Sequence, residues 1–85
     1  MLKFVYSENN SLSVIFHDND LLMGVVGEFN KNLKELEKIT GANLYSRGNS
    51  IMIKSSPEKN EILKNAIQFL ANQFKNNGSI EQKDI

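Results

Sequence analysis

Two apolar patterns of helical period lie on either side of a joint of only four residues, Gly27-Glu28-Phe29-Asn30, and no other stretch constrains the fold as much. Upstream, Leu21, Leu22, Val25 and Val26 share one face of a short helix, with the N-cap types Asp18, Asn19 and Asp20 directly before them. Gly27 stops that helix. Downstream, Asn30 is placed to cap a helix over about residues 31–40, which carries Leu33, Leu36 and Thr40 on its apolar side. Thr40-Gly41 closes it with glycine at the C′ position.

The flanks alternate with period two. Leu2, Phe4 and Tyr6 against Lys3 and Val5 predict a short strand, and Glu8-Asn9-Asn10-Ser11 predicts a turn. Leu12, Val14 and Phe16 against Ser13, Ile15 and His17 predict its hairpin partner. Ala42–Ser46 and Ser50–Lys54 read as two more strands around the turn Arg47-Gly48-Asn49. Ser55-Ser56-Pro57-Glu58 opens a final helix over about 57–76, with an expected core stripe of Ile62, Leu63, Ala66, Ile67, Leu70 and Phe74. Residues 1–76 thus form one α+β domain: three helices on one face of a small three-stranded sheet, with room for an extra strand at 2–6. Residues 77–85 read as a tail or linker.

Composition narrows the chemistry. A chain of 85 residues supports one small domain and excludes separate cofactor and substrate lobes. It has no Cys, hence no disulfide, thiolate metal site or Cys nucleophile, and its single His, His17, has no second His or Cys to complete a metal site. No apolar run approaches the roughly 20 residues that span a bilayer, so a soluble cytoplasmic protein with no membrane partner is expected. Net charge is zero but unevenly spread: residues 1–30 carry −3, residues 31–75 carry +4 and the last ten carry −1. The basic centre is compatible with phosphate contact. The carboxylate pairs Asp18/Asp20 and Glu35/Glu37 are explained by helix capping and by a solvated helix face, and no catalytic set accompanies them. The chain by itself is not expected to be an enzyme.

Val26-Gly27-x-x-Asn30-x-x-Leu33-x-x-Leu36-x-x-Ile39-Thr40-Gly41-Ala42, followed by Ile51-Met52-Ile53 and the Ser-Pro-Glu helix start, resembles the KH domain over about residues 12–74. The blocks His17-Asp18-Asn19-x-x-Leu22, Gly27-Glu28-x-x-x-Asn32-Leu33-x-x-x-Glu37 and Arg47-Gly48-Asn49-x-Ile51-x-Ile53 resemble, in that order, the N-terminal region of bacterial PhoH-like proteins. That resemblance implies a KH-like domain of type I order. It also implies an accessory role beside a C-terminal P-loop ATPase domain associated with phosphate starvation and RNA metabolism. Nothing here resembles Gly-x-x-x-x-Gly-Lys-[Ser/Thr]. ATP and magnesium are therefore implied for a full-length protein and no cofactor for this chain.

On the same resemblance, Gly27, Glu28, Phe29 and Asn30 would form the RNA-contacting loop. Lys31, Lys34 and Lys38, within about 60° of one another on the helix, would contact phosphates of single-stranded RNA. Leu33, Leu44 and Tyr45 would line the groove, with Arg47 at its edge. Each has a plainer alternative. The lysine stripe, which includes Glu35 in its arc, can be a solvated face; Gly27 can be a helix stop; Phe29 can pack beneath the loop or stack a base; Arg47 can be the exposed cation of a turn. The loop departs from the usual KH pattern in having Asn30 where a second glycine stands, and Glu28 brings a carboxylate into it. The rival expectation is a protein-interaction module that docks on the ATPase domain or forms a homo-oligomer.

Overall fold

A computed structural model describes residues 2–7 and 10–77. The elements are β1 (Leu2–Tyr6), β2 (Ser11–Phe16), α1 (Asn19–Val26), a 3₁₀ turn (Glu28–Asn30), α2 (Lys31–Thr40), β3 (Asn43–Arg47), β4 (Ser50–Lys54) and α3 (Pro57–Asn77). All strands pair antiparallel in one sheet of order β1-β2-β4-β3. The sheet has four strands rather than three, because β1 pairs along its whole length with β2, from Leu2 opposite Phe16 to Tyr6 opposite Leu12. Of the expected tail at 77–85, Asn77 is the last residue of α3, and residues 78–85 lie outside the described residues.

The helices start and stop where local chemistry directs. Asp18 caps α1, its Oδ1 accepting from the N–H of Asp20 at 2.9 Å and of Leu21 at 3.4 Å. Ser56 Oγ accepts from the Lys59 N–H at 3.2 Å at the start of α3. Gly41 ends α2 in the left-handed region (φ 76°), returning its N–H to Glu37 O at 2.7 Å. Asn30 differs from expectation. It holds the N-cap position of α2 with φ 59°, but its side chain makes no capping bond.

The core lies between one sheet face and the helices. Leu12, Val14 and Phe16 of β2, Leu44 of β3 and Ile51 and Ile53 of β4 meet Leu22, Val25, Leu33, Leu36, Leu63, Ile67 and Leu70. Burial of each large side chain contributes about 1.5–3 kcal/mol. The α3 stripe needs one correction: Ile62 is 60% exposed. The buried arc runs through Asn60, Leu63, Ile67, Leu70 and Ala71, and Ile62 sits 100° from Leu63, outside it. Ala66 and Phe74 are half-buried. Phe74 lies against Gly24, where an added Cβ would stand 2.4 Å from the ring, so α1 and α3 approach closely. The β1 edge is tied to α3: Tyr6 donates its hydroxyl to Glu61 Oε2 at 3.0 Å, and Lys64 Nζ lies 5.1 Å from the Phe4 ring centre. The Glu61 carboxylate pushes the Tyr6 hydroxyl above its ordinary pKa, first by accepting its hydrogen bond. No helix among the described residues is long and apolar enough to cross a membrane.

Candidate nucleic-acid interface

Gly27 sets the joint between α1 and α2. Its backbone (φ 77°, ψ 173°) lies in a region closed to residues with a Cβ. Its N–H closes α1 on Met23 O at 2.9 Å, and its own carbonyl accepts from Asn30 N at 3.1 Å. Asn32 fastens the joint from below: buried, it donates Nδ2 to the Val25 carbonyl at 3.0 Å. A Cβ on Gly27 would stand 2.9 Å from that same nitrogen. Gly27→Ala is therefore expected to lower stability by about 1–3 kcal/mol, read as a lower urea midpoint with an unchanged m-value.

Held this way, the loop projects Phe29 outward. Phe29 is 89% exposed and left-handed (φ 53°, ψ 33°), so the alternative in which it packs beneath the loop does not hold. Asn30 beside it is also left-handed, a conformation Asn tolerates well.

Two hollows share Phe29 as their common wall. One, of about 300 Å³, has Leu22, Met23 and Val26 of α1 at its base, and is bounded by the loop and by Ser46 and Gly48 of the β3–β4 hairpin. The other, wider and shallower at about 460 Å³, is lined by Lys31, Lys34 and Lys38 with Glu28 and Glu35. All three lysines are exposed and Glu35 is half-buried. The first hollow mixes the apolar side chains of α1 with Asn19, Asn30 and Ser46; the second carries one net positive charge.

The remaining candidates separate. Leu33 and Leu44, 2% and 6% exposed, belong to the core and support the surface from behind rather than lining it. Tyr45 is 49% exposed but points to the opposite face of β3 from Leu44, as strand alternation requires. Arg47 is exposed at the end of β3.

Two residues that hold the site were not singled out as candidates. One is Asn32. The other is Glu37, which is half-buried and accepts the Leu44 N–H at 2.9 Å, fixing the β3 edge to α2 instead of standing in a solvated face. Both occupy positions in the spacing Gly27-Glu28-x-x-x-Asn32-Leu33-x-x-x-Glu37, which was the one available signal for them.

His17 is exposed, and among the described residues no group of three or more His, Cys, Asp or Glu could hold a metal ion. The described glycines of positive φ, Gly27, Gly41 and Gly48, close helices or a turn. Comparison of the chain with protein-family models, curated proteins and solved structures finds no match.

Proposed function

We propose that this chain is a KH-like accessory domain that binds single-stranded RNA, resembling the N-terminal module of PhoH-like ATPases. The observation that carries the reading is the placement of Phe29. It stands on the ridge between a cleft lined by Leu22, Met23 and Val26 together with Asn19, Asn30 and Ser46, and a lysine-lined groove. A single strand laid along that ridge would turn its bases into the cleft over Met23 and Val26 and its phosphates toward Lys31, Lys34 and Lys38. Phe29 would offer its ring to a base.

The order of elements from β2 to α3 supports the KH-like part of the reading. It runs strand, two helices across a four-residue joint, two strands and a helix, with a β2-β4-β3 sheet order. The N-terminal end of α2 adds a partial positive charge beside the loop, which offsets the Glu28 carboxylate. The ATPase domain, ATP and magnesium belong to a longer protein in this reading, and this chain supplies no catalytic group.

Fluorescence anisotropy with labelled RNA tests it. Single-stranded RNA of about four nucleotides should bind, RNA duplex of the same sequence should bind far more weakly, and affinity should fall as salt rises. Equal binding of duplex and single strand would contradict a base-accepting cleft.

A second reading, docking on a protein surface or on another copy, is favoured by Ile62 and Phe69. They are 60% and 50% exposed and, seven residues apart, share one face of α3. Sedimentation over a concentration series tests it for self-association: a single monomer mass throughout would remove the homo-oligomer.

A further inference from the structure

The sheet has a second face, away from the helices, and its charge is unlike that of the chain as a whole. Register fixes its membership. Val5, Ser13, Met52 and Tyr45 form one row across the four strands, and Lys3, Ile15, Ser50 and Arg47 form the next. Lys54 stands beside them on β4, level with Asn43. The Ser13 hydroxyl donates to Met52 Sδ at 3.3 Å, which places both side chains on this face.

Lys3, Arg47 and Lys54 are exposed, and Tyr45 is half-exposed among them. At the outward positions of the described strands there is no carboxylate. A chain of zero net charge thus gathers three cations and an aromatic ring on one face of its sheet. Serines 13 and 50 between them are small enough to let a planar group approach, and their hydroxyl oxygens, which donate to Met52 Sδ and Asn49 Oδ1, keep acceptor capacity for it.

This face is continuous with the cleft. Ser46 borders the cleft, while its neighbours Tyr45 and Arg47 point to the other side of the same edge strand. A chain leaving the cleft over β3 therefore meets Tyr45 and Arg47 first, then Lys54 and Lys3. Cations spaced around an exposed ring suit alternating phosphates and bases, whereas an apolar protein partner would leave the three charges without counter-ions.

We propose that a single RNA strand held in the cleft continues over β3 onto the open sheet face, with Tyr45 stacking a base and Arg47, Lys54 and Lys3 holding phosphates. The proposal rests on the cleft reading for its entry point. It extends the occupied length from about four nucleotides to about seven, one more for each of the three phosphates held on the sheet face.

Titration of the whole chain with four-nucleotide and eight-nucleotide RNA, repeated with the Lys3→Gln/Lys54→Gln variant, tests it. The eight-nucleotide RNA should bind roughly tenfold or more tightly than the four-nucleotide RNA. The variant should lose roughly tenfold for the longer RNA, with its salt slope reduced by about 1.4, and nothing for the shorter. Equal binding of both lengths, or an unchanged eight-nucleotide isotherm in the variant, would overturn the proposal while leaving the cleft in place. Binding of the longer RNA that needs Lys3 and Lys54, with no binding of the shorter, would remove the cleft as the entry point and overturn the continuous path. Absence of binding by either at low salt would overturn both. An eight-residue glutamate peptide that binds as tightly as the longer RNA, with the same loss in the variant, would overturn it in favour of an acidic protein partner.

Discussion

Replacing Lys31, Lys34 and Lys38 together by Gln is expected to weaken single-stranded RNA binding by roughly fiftyfold at physiological salt. The figure follows from counter-ion release. Each phosphate contact to a single strand contributes about 0.7 to the slope of log affinity against log salt, or roughly a factor of four at that ionic strength. Three contacts multiply to the stated loss and should flatten the slope by about 2. The lysines are exposed on α2 and make no ion pair or hydrogen bond among the interactions described, so folding should change by no more than about 0.5 kcal/mol. An unaltered salt slope would mean that the stripe is only a solvated helix face. Glu28 and Glu35 lie in the same groove, and Glu35→Gln should move affinity in the opposite direction.

Phe29→Gly is expected to separate stability from binding by moving them in opposite directions. The left-handed backbone at Phe29 costs about 1–2 kcal/mol for a residue with a Cβ, and its ring, 89% exposed, recovers little by packing. Glycine removes that strain but adds freedom to the unfolded chain, leaving a net gain of about 1 kcal/mol. For a domain of this size that raises the melting temperature by about 4–8 °C. RNA affinity should fall at the same time by about tenfold or more, because a stacked base is worth about 1–3 kcal/mol. Glycine removes the strain and the ring together, and this pair of shifts tests whether Phe29 is placed for contact. A drop in melting temperature would show instead that the ring packs on the domain.

Much of the architecture is legible in local chemistry. Asp18, Ser56 and Gly41 each end or begin a helix through local hydrogen bonds, and such bonds span two to four residues, within reach of a sequence pattern. Strand alternation places Leu12, Val14, Phe16, Ile51 and Ile53 inward without ambiguity, because one face of the sheet is buried. The rotation of α3 was not legible. Ile62 and Leu63 are adjacent apolar residues, and only the packing of α3 on α1 and the sheet decides which turns in.

The site shows the same division. Gly27 is readable because its joint demands an unusual backbone, and the lysine stripe is readable from helical period. The exposure of Phe29 is not, since a loop aromatic has no periodicity to orient it. The holding bonds from Asn32 to Val25 and from Glu37 to Leu44 each span seven residues across a turn. Helical period by itself gives no sign of such a partner, and only the spacing Gly27-Glu28-x-x-x-Asn32-Leu33-x-x-x-Glu37 marks the two residues. Tyr45 was placed with Leu44 in one groove, although adjacent strand residues point to opposite faces; the structure separates them, and that separation gives the open sheet face its ring.

The central claim, that the ridge at Phe29 lies along the path of a single strand, is met most directly by an amide-resolved NMR titration with short mixed-sequence single-stranded RNA at low and then physiological salt. Shifts concentrated at Met23, at Gly27 through Lys38 and at Ser46 through Gly48, weakened by salt, are the result predicted here. Shifts confined to the exposed α3 face around Ile62 and Phe69, or no localised shifts at low salt, would contradict it.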